Sequence, residues 1–257
     1  MIFSNFNFNP LEQFEIRDFV TIDAPILNDF HLSLTNISTY LITSLFILIF
    51  VNFLTGKYSS LIYKNWLLSK ECIYDTIYSI TTSQINNKEG QMYFPFIYTL
   101  FLFILVNNLI GMVPYSFSST SHFILTFSLS FTVVIGDTIL GFYKHNLKFF
   151  SLFVPAGCPL ALLPLLVIIE FISYLARCIS LGLRLAANVL SGHMLLSILS
   201  GFTYKIMTSG FLYLILGLLP LAFIIAFSSL ELAIAFIQAQ VFVVLTCGYT
   251  KDALELH

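Results

Sequence analysis

The sequence predicts an all-α integral membrane protein with about five membrane helices plus one interfacial amphipathic helix, the last two membrane helices forming a long, strongly tilted antiparallel hairpin. Three observations carry this. Of 257 residues, 58% are hydrophobic and only 9% charged, with a mean hydropathy of +0.92, which leaves too little polar surface to cover a soluble globule. Apolar stretches long enough to cross the ~30 Å hydrocarbon core recur along the chain. Two of them are roughly twice the ~20 residues a perpendicular crossing requires, so they must tilt steeply or lie along the membrane.

Taken in order, residues 1–37 form an N-terminal segment whose opening MIFSNFNFNP lacks the basic region of a secretory signal and the Arg-rich character of a transit peptide, a short removable leader remaining open. The first span covers 38–55. Residues 59–84 set Leu61, Trp66, Ile73, Ile77 and Ile80 among Lys64, Lys70, Glu71 and Asp75, the pattern of an amphipathic helix lying in the interface. A helical hairpin follows over 94–143, with spans at 94–113 and 122–143. Phe94-Pro95 and Met112-Val113-Pro114 punctuate the former. Pro155, Pro159 and Pro164 mark the start of the long hairpin, 159–250, whose limbs run over about 159–203 and 211–250. Gly182, Gly201, Gly217 and Pro220 are places where these limbs can bend. The loops are too short for a separate domain, so 1–257 reads as one membrane domain.

The net charge of −2 and 11 scattered Lys and Arg residues exclude a nucleic-acid partner. Cys72, Cys158, Cys178 and Cys247 lie far apart, which indicates neither a disulfide framework nor a metal site, and no cofactor is implied. The 28 Phe residues read as lipid-facing bulk. Lys57, Lys64, Lys70, Lys88, Lys144, Lys148 and Lys251 fall on one side of the membrane and only Arg17 and Lys205 on the other. By the positive-inside rule the C-terminus faces the cytoplasm-equivalent compartment, which in an organelle is the matrix.

Arg177 and Arg184 belong to neither side, because they lie within a spanning segment. An Arg at mid-membrane costs at least ~2.5–3.5 kcal/mol, so it calls for a partner or a task. Glu170, Arg177, Arg184 and Ser191 recur every seventh residue and share one helical face, with Asn188 one turn beyond Arg184. At ~100° per residue, His193 points about 180° away from Arg184. On the last segment Glu231 and Gln238 also share a face, and Asp252 lies at its far end.

Folding the two long limbs into an antiparallel hairpin sets residues with nearly equal sums of residue number at one height. His193 then matches Glu231, Arg184 matches Gln238 with Asn188 beside them, and Glu170 matches Asp252. The outer levels stand roughly 35 Å apart along the helix axis. His and carboxylates exchange protons near neutral pH, whereas Arg stays charged and passes none on. The middle level is therefore a block between two proton-accessible ends. Such a path works if the proton leaves this chain, rides on a moving partner carboxylate and re-enters.

Plainer readings stand beside this one. Arg184 can form a structural ion pair with Glu170 or Glu231, and His193 can be a satisfied core residue. Glu170 and Asp252 can be ordinary interface residues, and Asp137, Asn107 and Asn108 can be polar contacts that hold helices together, the two asparagines alternatively lining the mouth of a path.

The stretches PLEQFEIRDF, YFPFIYTLFLFILVNNLIGMVPYSF, FFSLFVPAGCPLALLPLLVIIEFISYLARCISLGLRLAANVLSGH and the ending YTKDALELH together resemble one family, with RLAANVLSGH the most specific piece. It is the a subunit of the ATP synthase membrane sector in its mitochondrial form, most closely the fungal members. The resemblance implies that Arg184 faces the carboxylate of a rotating c-ring and prevents a short circuit, with Asn188 and Gln238 as its polar neighbours. It implies that His193 and Glu231 line a half-channel open to the intermembrane space, and Glu170 and Asp252 one open to the matrix. Bacterial members tend to carry an acid where this chain has His193 and a histidine where it has Glu231, a swap that places the chain on the mitochondrial side. Arg177 receives a structural or membrane-end reading.

The same resemblance implies a mitochondrial inner-membrane location, with the N-terminus toward the intermembrane space and the C-terminus toward the matrix. It also implies peripheral-stalk subunit b, small membrane subunits and lipids as further partners, and a dimeric complex. No GxxxxGK[ST] loop is present, so the chain is expected to be a non-catalytic subunit, with ATP made elsewhere in the complex. The competing function is a subunit of another proton-coupled transporter or a redox-driven pump. Transporters commonly repeat an internal half, and this sequence shows no such duplication.

Overall fold

The computed structural model describes residues 10–24, 30–56, 65–85, 87–113, 116–154 and 162–255. Lys57, Leu61, Lys64, Pro114, Pro155, Cys158 and Pro159 from the sequence analysis lie outside these described residues. Helices dominate: α1 (Asn36–Gly56), α2 (Asn65–Gln84), α3 (Asn87–Gly111), α4 (Phe123–His145), α5 (Leu163–Thr208), the short α6 (Phe211–Leu216) and α7 (Leu218–Leu254). Five of them, α1, α3, α4, α5 and α7, are long and apolar enough to cross a membrane.

The N-terminal segment is not wholly helical or irregular. Asp18–Ala24 (β1) pairs antiparallel with Phe30–Thr35 (β2), in a register that sets Val20 opposite Leu34 and Ile22 opposite Leu32. Alternating β-branched and polar residues in FVTIDA give a period of two, and Asn36 then starts α1.

On α2 the sequence places Ile73, Ile77 and Ile80 on one stripe, and the fold buries Ile77 completely while Ile73 and Ile80 pack at the edge of the same core. The opposite face leaves Glu71 and Asp75 exposed. α3 begins at Asn87 and runs through Pro95, which therefore sits inside the helix and does not delimit it. Neighbouring helices compensate such a break within a membrane protein, and here Phe94 and Ile97 flanking it are buried. α4 ends where Asn146 takes a left-handed φ of 49°, and a 3-10 turn, Asn146–Phe153, follows.

α5 is 46 residues long and α7 37, about 69 and 55 Å at ~1.5 Å per residue, which far exceeds the hydrocarbon core. The connection between them is not a single loop. The chain breaks at Ser209-Gly210, forms α6 and breaks again at Gly217 before α7. α7 buries one continuous stripe, Glu231, Ala235, Gln238, Phe242, Thr246 and Thr250 among its members, at the three- and four-residue steps of a helix face. Its core partners are Ile97, Phe101, Ile104 and Leu105 of α3 and Leu181 and Leu185 of α5. Gly182 lets α4 and α5 cross closely: a Cβ there would stand 2.9 Å from Ser130 Oγ and 3.2 Å from the Thr126 carbonyl.

Candidate functional site

The helical period of α5 sorts its polar residues onto two faces. Cys178, Leu181, Gly182, Leu185 and Ala186 turn inward. Ala176, Ile179, Ser180, Leu183 and Ala187 turn outward and line a shallow groove around Arg184, which is itself exposed on that outer face. Among the described residues Arg184 makes no ion pair, so neither Glu170 nor Glu231 neutralises it. Ala176, Ser180 and Ala187, the small members of this lining, leave room for another helix to approach.

Asn188, one turn further along α5, donates Nδ2–H to Gln238 Oε1 at 2.8 Å. Gln238 is buried on α7. The level that the sequence assigned to Arg184, Gln238 and Asn188 is thus closed by Asn188, and among the described residues Arg184 makes no hydrogen bond to Gln238. A shift of one helical turn along α5 moves a residue by roughly 5 Å with little change of face, which explains why equal heights did not identify the contact.

His193 lies on the inner side of α5. Its Nε2 stands 3.8 Å from Glu231 Oε1, and neither that nitrogen nor either Glu231 carboxylate oxygen has a hydrogen-bond partner although all three are buried. The approach depends on Gly192, where a Cβ would come within 2.5 Å of Glu231 Oε1. More polar groups gather around this pair. Asn108 donates to the Ala235 carbonyl, one turn from Glu231, at 3.4 Å, and Ser119 Oγ meets Asn107 Oδ1 at 3.2 Å. Ser118, Ser119, Thr120 and Ser121 of the α3–α4 turn are all buried. Gly111 links the two groups, since a Cβ there would stand 3.0 Å from Ser118 and 3.8 Å from His193 Nε2. His122 closes the turn against Phe117, ring centroids 5.1 Å apart, and burial holds its imidazole below the ordinary value of 6.5. Asn108 Oδ1, Thr120 Oγ1 and His122 Nε2 are likewise buried without partners. Buried polar atoms in native folds are satisfied by protein or by ordered water. From the N-terminal segment, Phe14 sets its ring edge-on to His193 at 6.4 Å.

A second cluster lies toward the C-terminal end of α7. Arg177 stands 3.6 Å from Glu170 and donates to Asp252 Oδ2 at 3.1 Å. The two carboxylates that the sequence matched in height are therefore bridged by the arginine to which it gave only a structural or membrane-end reading. The signal was available: Glu170 and Arg177 are seven residues apart on one face. All three side chains are about a third or more exposed at the surface of the chain, so the bridge is not sealed inside it. Beside this cluster the Asp137 side chain of α4 is buried, with Oδ2 unpartnered, and His145 Nε2 lies 2.9 Å from the Leu254 carbonyl, tying the ends of α4 and α7.

Sequence reasoning missed Gly192, Gly111, the polar turn 118–121 and Phe14. Only the turn had a visible signal, the run SFSSTSH, because the other contacts are made between distant parts of the chain.

Comparison with known proteins gives a consistent result. Residues 37–251 match the family described as ATP synthase A chain. The chain is 69% identical over 255 residues to the protein named ATP synthase subunit a of Podospora anserina, covering 99% of this chain and 97% of that one. It is 70% identical over 249 residues to the proteins of the same name from Cochliobolus heterostrophus and Neurospora crassa, covering 97% of this chain and 97% and 95% of theirs.

Proposed function

Since the chain belongs to the ATP synthase A chain family, we propose that its two polar clusters are offset half-channels and that Arg184 is the block between them. As a member of that family it is a proton-translocating subunit of the ATP synthase membrane sector. A transporter or redox-driven pump is not favoured.

The observation that carries the residue assignment is the opposite facing of Arg184 and His193. Arg184 is exposed in a largely apolar groove and pairs with no acid among the described residues, while His193 is turned inward against Glu231. A guanidinium left unpaired in a membrane segment is costly unless a partner supplies the anion. An ionised carboxylate passing along the groove supplies it, and must be protonated before it meets lipid. The partner in this reading is a c-ring, whose carboxylate gains its proton from the Glu231–His193 cluster and loses it toward Asp252 and Glu170.

Arg184 cannot relay a proton, because guanidinium does not titrate in the working range. It therefore releases the arriving carboxylate's proton by electrostatic attraction and separates the two water-accessible ends. Asn188 and Gln238, joined at 2.8 Å, tie α5 to α7 one turn from it. Each proton crossing a 100 mV potential supplies about 2.3 kcal/mol, and repeated steps turn the ring. ATP formation itself belongs to other subunits, and this chain acts as a non-catalytic stator in the mitochondrial inner membrane, alongside a peripheral-stalk subunit and small membrane subunits in a dimeric complex.

The deciding measurement is ATP-driven proton pumping and ATP synthesis in inner-membrane vesicles carrying Arg184→Gln, after assembly of the complex is verified. Both activities are expected to vanish in the assembled complex. Coupled activity near that of the unmodified complex would overturn the assignment and return Arg184 to a structural role.

A further inference from the structure

Resting on the reading of the His193–Glu231 pair as one end of the path, we propose that Phe14 of the N-terminal segment is a positioning residue for that pair, holding the His193 ring against Glu231. The segment is built to deliver it. Glu12–Phe14 form a single 3-10 turn, closed by Phe14 N–H donating to the Leu11 carbonyl at 3.0 Å and Glu15 N–H donating to the Glu12 carbonyl at 3.2 Å. From Leu11 to Arg17 every residue is exposed except Phe14, which is partly buried. Its ring meets the His193 imidazole with centroids 6.4 Å apart and planes at 72°, an edge-to-face arrangement that aromatic rings prefer.

The imidazole has little else to fix it. Gly192 precedes it in α5, and Gly111 lies across from it at the end of α3, where a Cβ would stand 3.8 Å from Nε2. Both neighbours lack a side chain that could brace the ring. Nε2 is buried without a hydrogen-bond partner, and its 3.8 Å from Glu231 Oε1 is beyond hydrogen-bond reach. A ring that hydrogen bonds do not fix is fixed by packing, and a step to another staggered rotamer would carry Nε2 away from the carboxylate. Proton transfer is steeply sensitive to such a displacement.

The charged and titratable groups around the pair leave this role to Phe14. Glu231 faces His193 from α7, and His122 closes the buried turn ahead of α4. On the N-terminal turn Glu12 and Glu15 are exposed, 3.5 and 3.2 Å from Arg17. Lys205 is exposed further along α5. Asp137, Lys144, His145 and Lys148 lie in the second half of α4 or in the turn beyond it. What the N-terminal turn sets against His193 is therefore an apolar ring, with its own charges turned to the outside.

The test is passive proton conductance through the membrane sector in inner-membrane vesicles stripped of the catalytic head, normalised to assembled complex, comparing Phe14→Ala, Phe14→Leu, Phe14→Tyr and Glu231→Gln. Phe14→Ala is expected to lower flux by about tenfold and to displace its dependence on pH at the N-terminal side, with the dependence at the C-terminal side unmoved. Phe14→Tyr, which keeps the ring edge, is expected to recover both flux and profile. Unchanged flux in assembled Phe14→Ala would overturn the proposal, and so would a loss of flux with the pH profile unmoved, which reduces Phe14 to a structural residue. If Phe14→Ala does not assemble, Phe14→Leu, which keeps bulk without the ring, decides: a displaced profile at the N-terminal side supports the proposal and an unmoved one overturns it. Should Glu231→Gln slow the flux while Phe14→Ala does not, this inference alone falls. Should neither slow it, the reading of the His193–Glu231 pair falls as well.

Discussion

Gly192 shows how one missing side chain sets the geometry of the His193–Glu231 pair. His193 follows it directly in sequence, and Glu231 reaches into the space that a Cβ would take, 2.5 Å from Oε1 and 2.9 Å from the carboxyl carbon. The obstruction is the end of a flexible side chain and not backbone, so the fold can absorb Gly192→Ala by moving the carboxylate away. Complexes carrying Gly192→Ala are expected to assemble normally and to lose proton flux, with ATP synthesis reduced about tenfold or more, since proton transfer is steeply sensitive to placement. Assembly with undiminished synthesis would show that the His193–Glu231 separation of 3.8 Å is not required. At the same scale, Arg184 and Arg177 have the same charge and opposite circumstances. Arg177 is paired to two carboxylates, and Arg184 makes no ion pair among the described residues.

At the scale of elements, the crossing of α4 and α5 holds the two clusters in register. Gly182 is its closest point, with Ser130 Oγ, a Phe127 ring carbon and the Thr126 carbonyl within 3.2 Å of where a Cβ would stand. One of these is backbone and cannot rotate aside. Gly182→Val is therefore expected to push the helices apart and destabilise the chain by about 1–3 kcal/mol, read as a lower melting temperature of the detergent-solubilised complex and reduced assembly. The equivalent change at Gly136, where a Cβ would meet nothing within 4 Å, is expected to leave both unchanged.

For the whole molecule, five helices long and apolar enough to cross a membrane predict N- and C-terminal ends on opposite sides. With Lys144, Lys148 and Lys251 on one side and Arg17 and Lys205 on the other, the positive-inside rule predicts that the C-terminal end faces the matrix. A single cysteine introduced as Glu255→Cys, in a chain whose exposed Cys72 is first replaced by Ser, is expected to react with an impermeant thiol reagent in inverted inner-membrane vesicles and not in intact mitoplasts. Labelling in mitoplasts would reverse the orientation and exchange the two half-channels. The number of long helices, the amphipathic α2, the length of the final hairpin and the inward and outward faces of α5 were all legible in the sequence. Each is dictated by hydropathy and by a period of 3.6 residues, which are local properties. The β1–β2 hairpin, Pro95 inside α3 and the double break around α6 were not, because short pairings and tolerated breaks depend on what packs beside them. The sequence by itself determined that ionisable groups lie at separate heights in a membrane hairpin, through the number and spacing of its polar residues. Only the tertiary structure decided that Asn188 and not Arg184 meets Gln238, that Arg177 bridges Glu170 and Asp252, and that the 118–121 turn packs against α5. Those contacts are set by the mutual approach of helices far apart in sequence, and spacing along one helix carries no information about it.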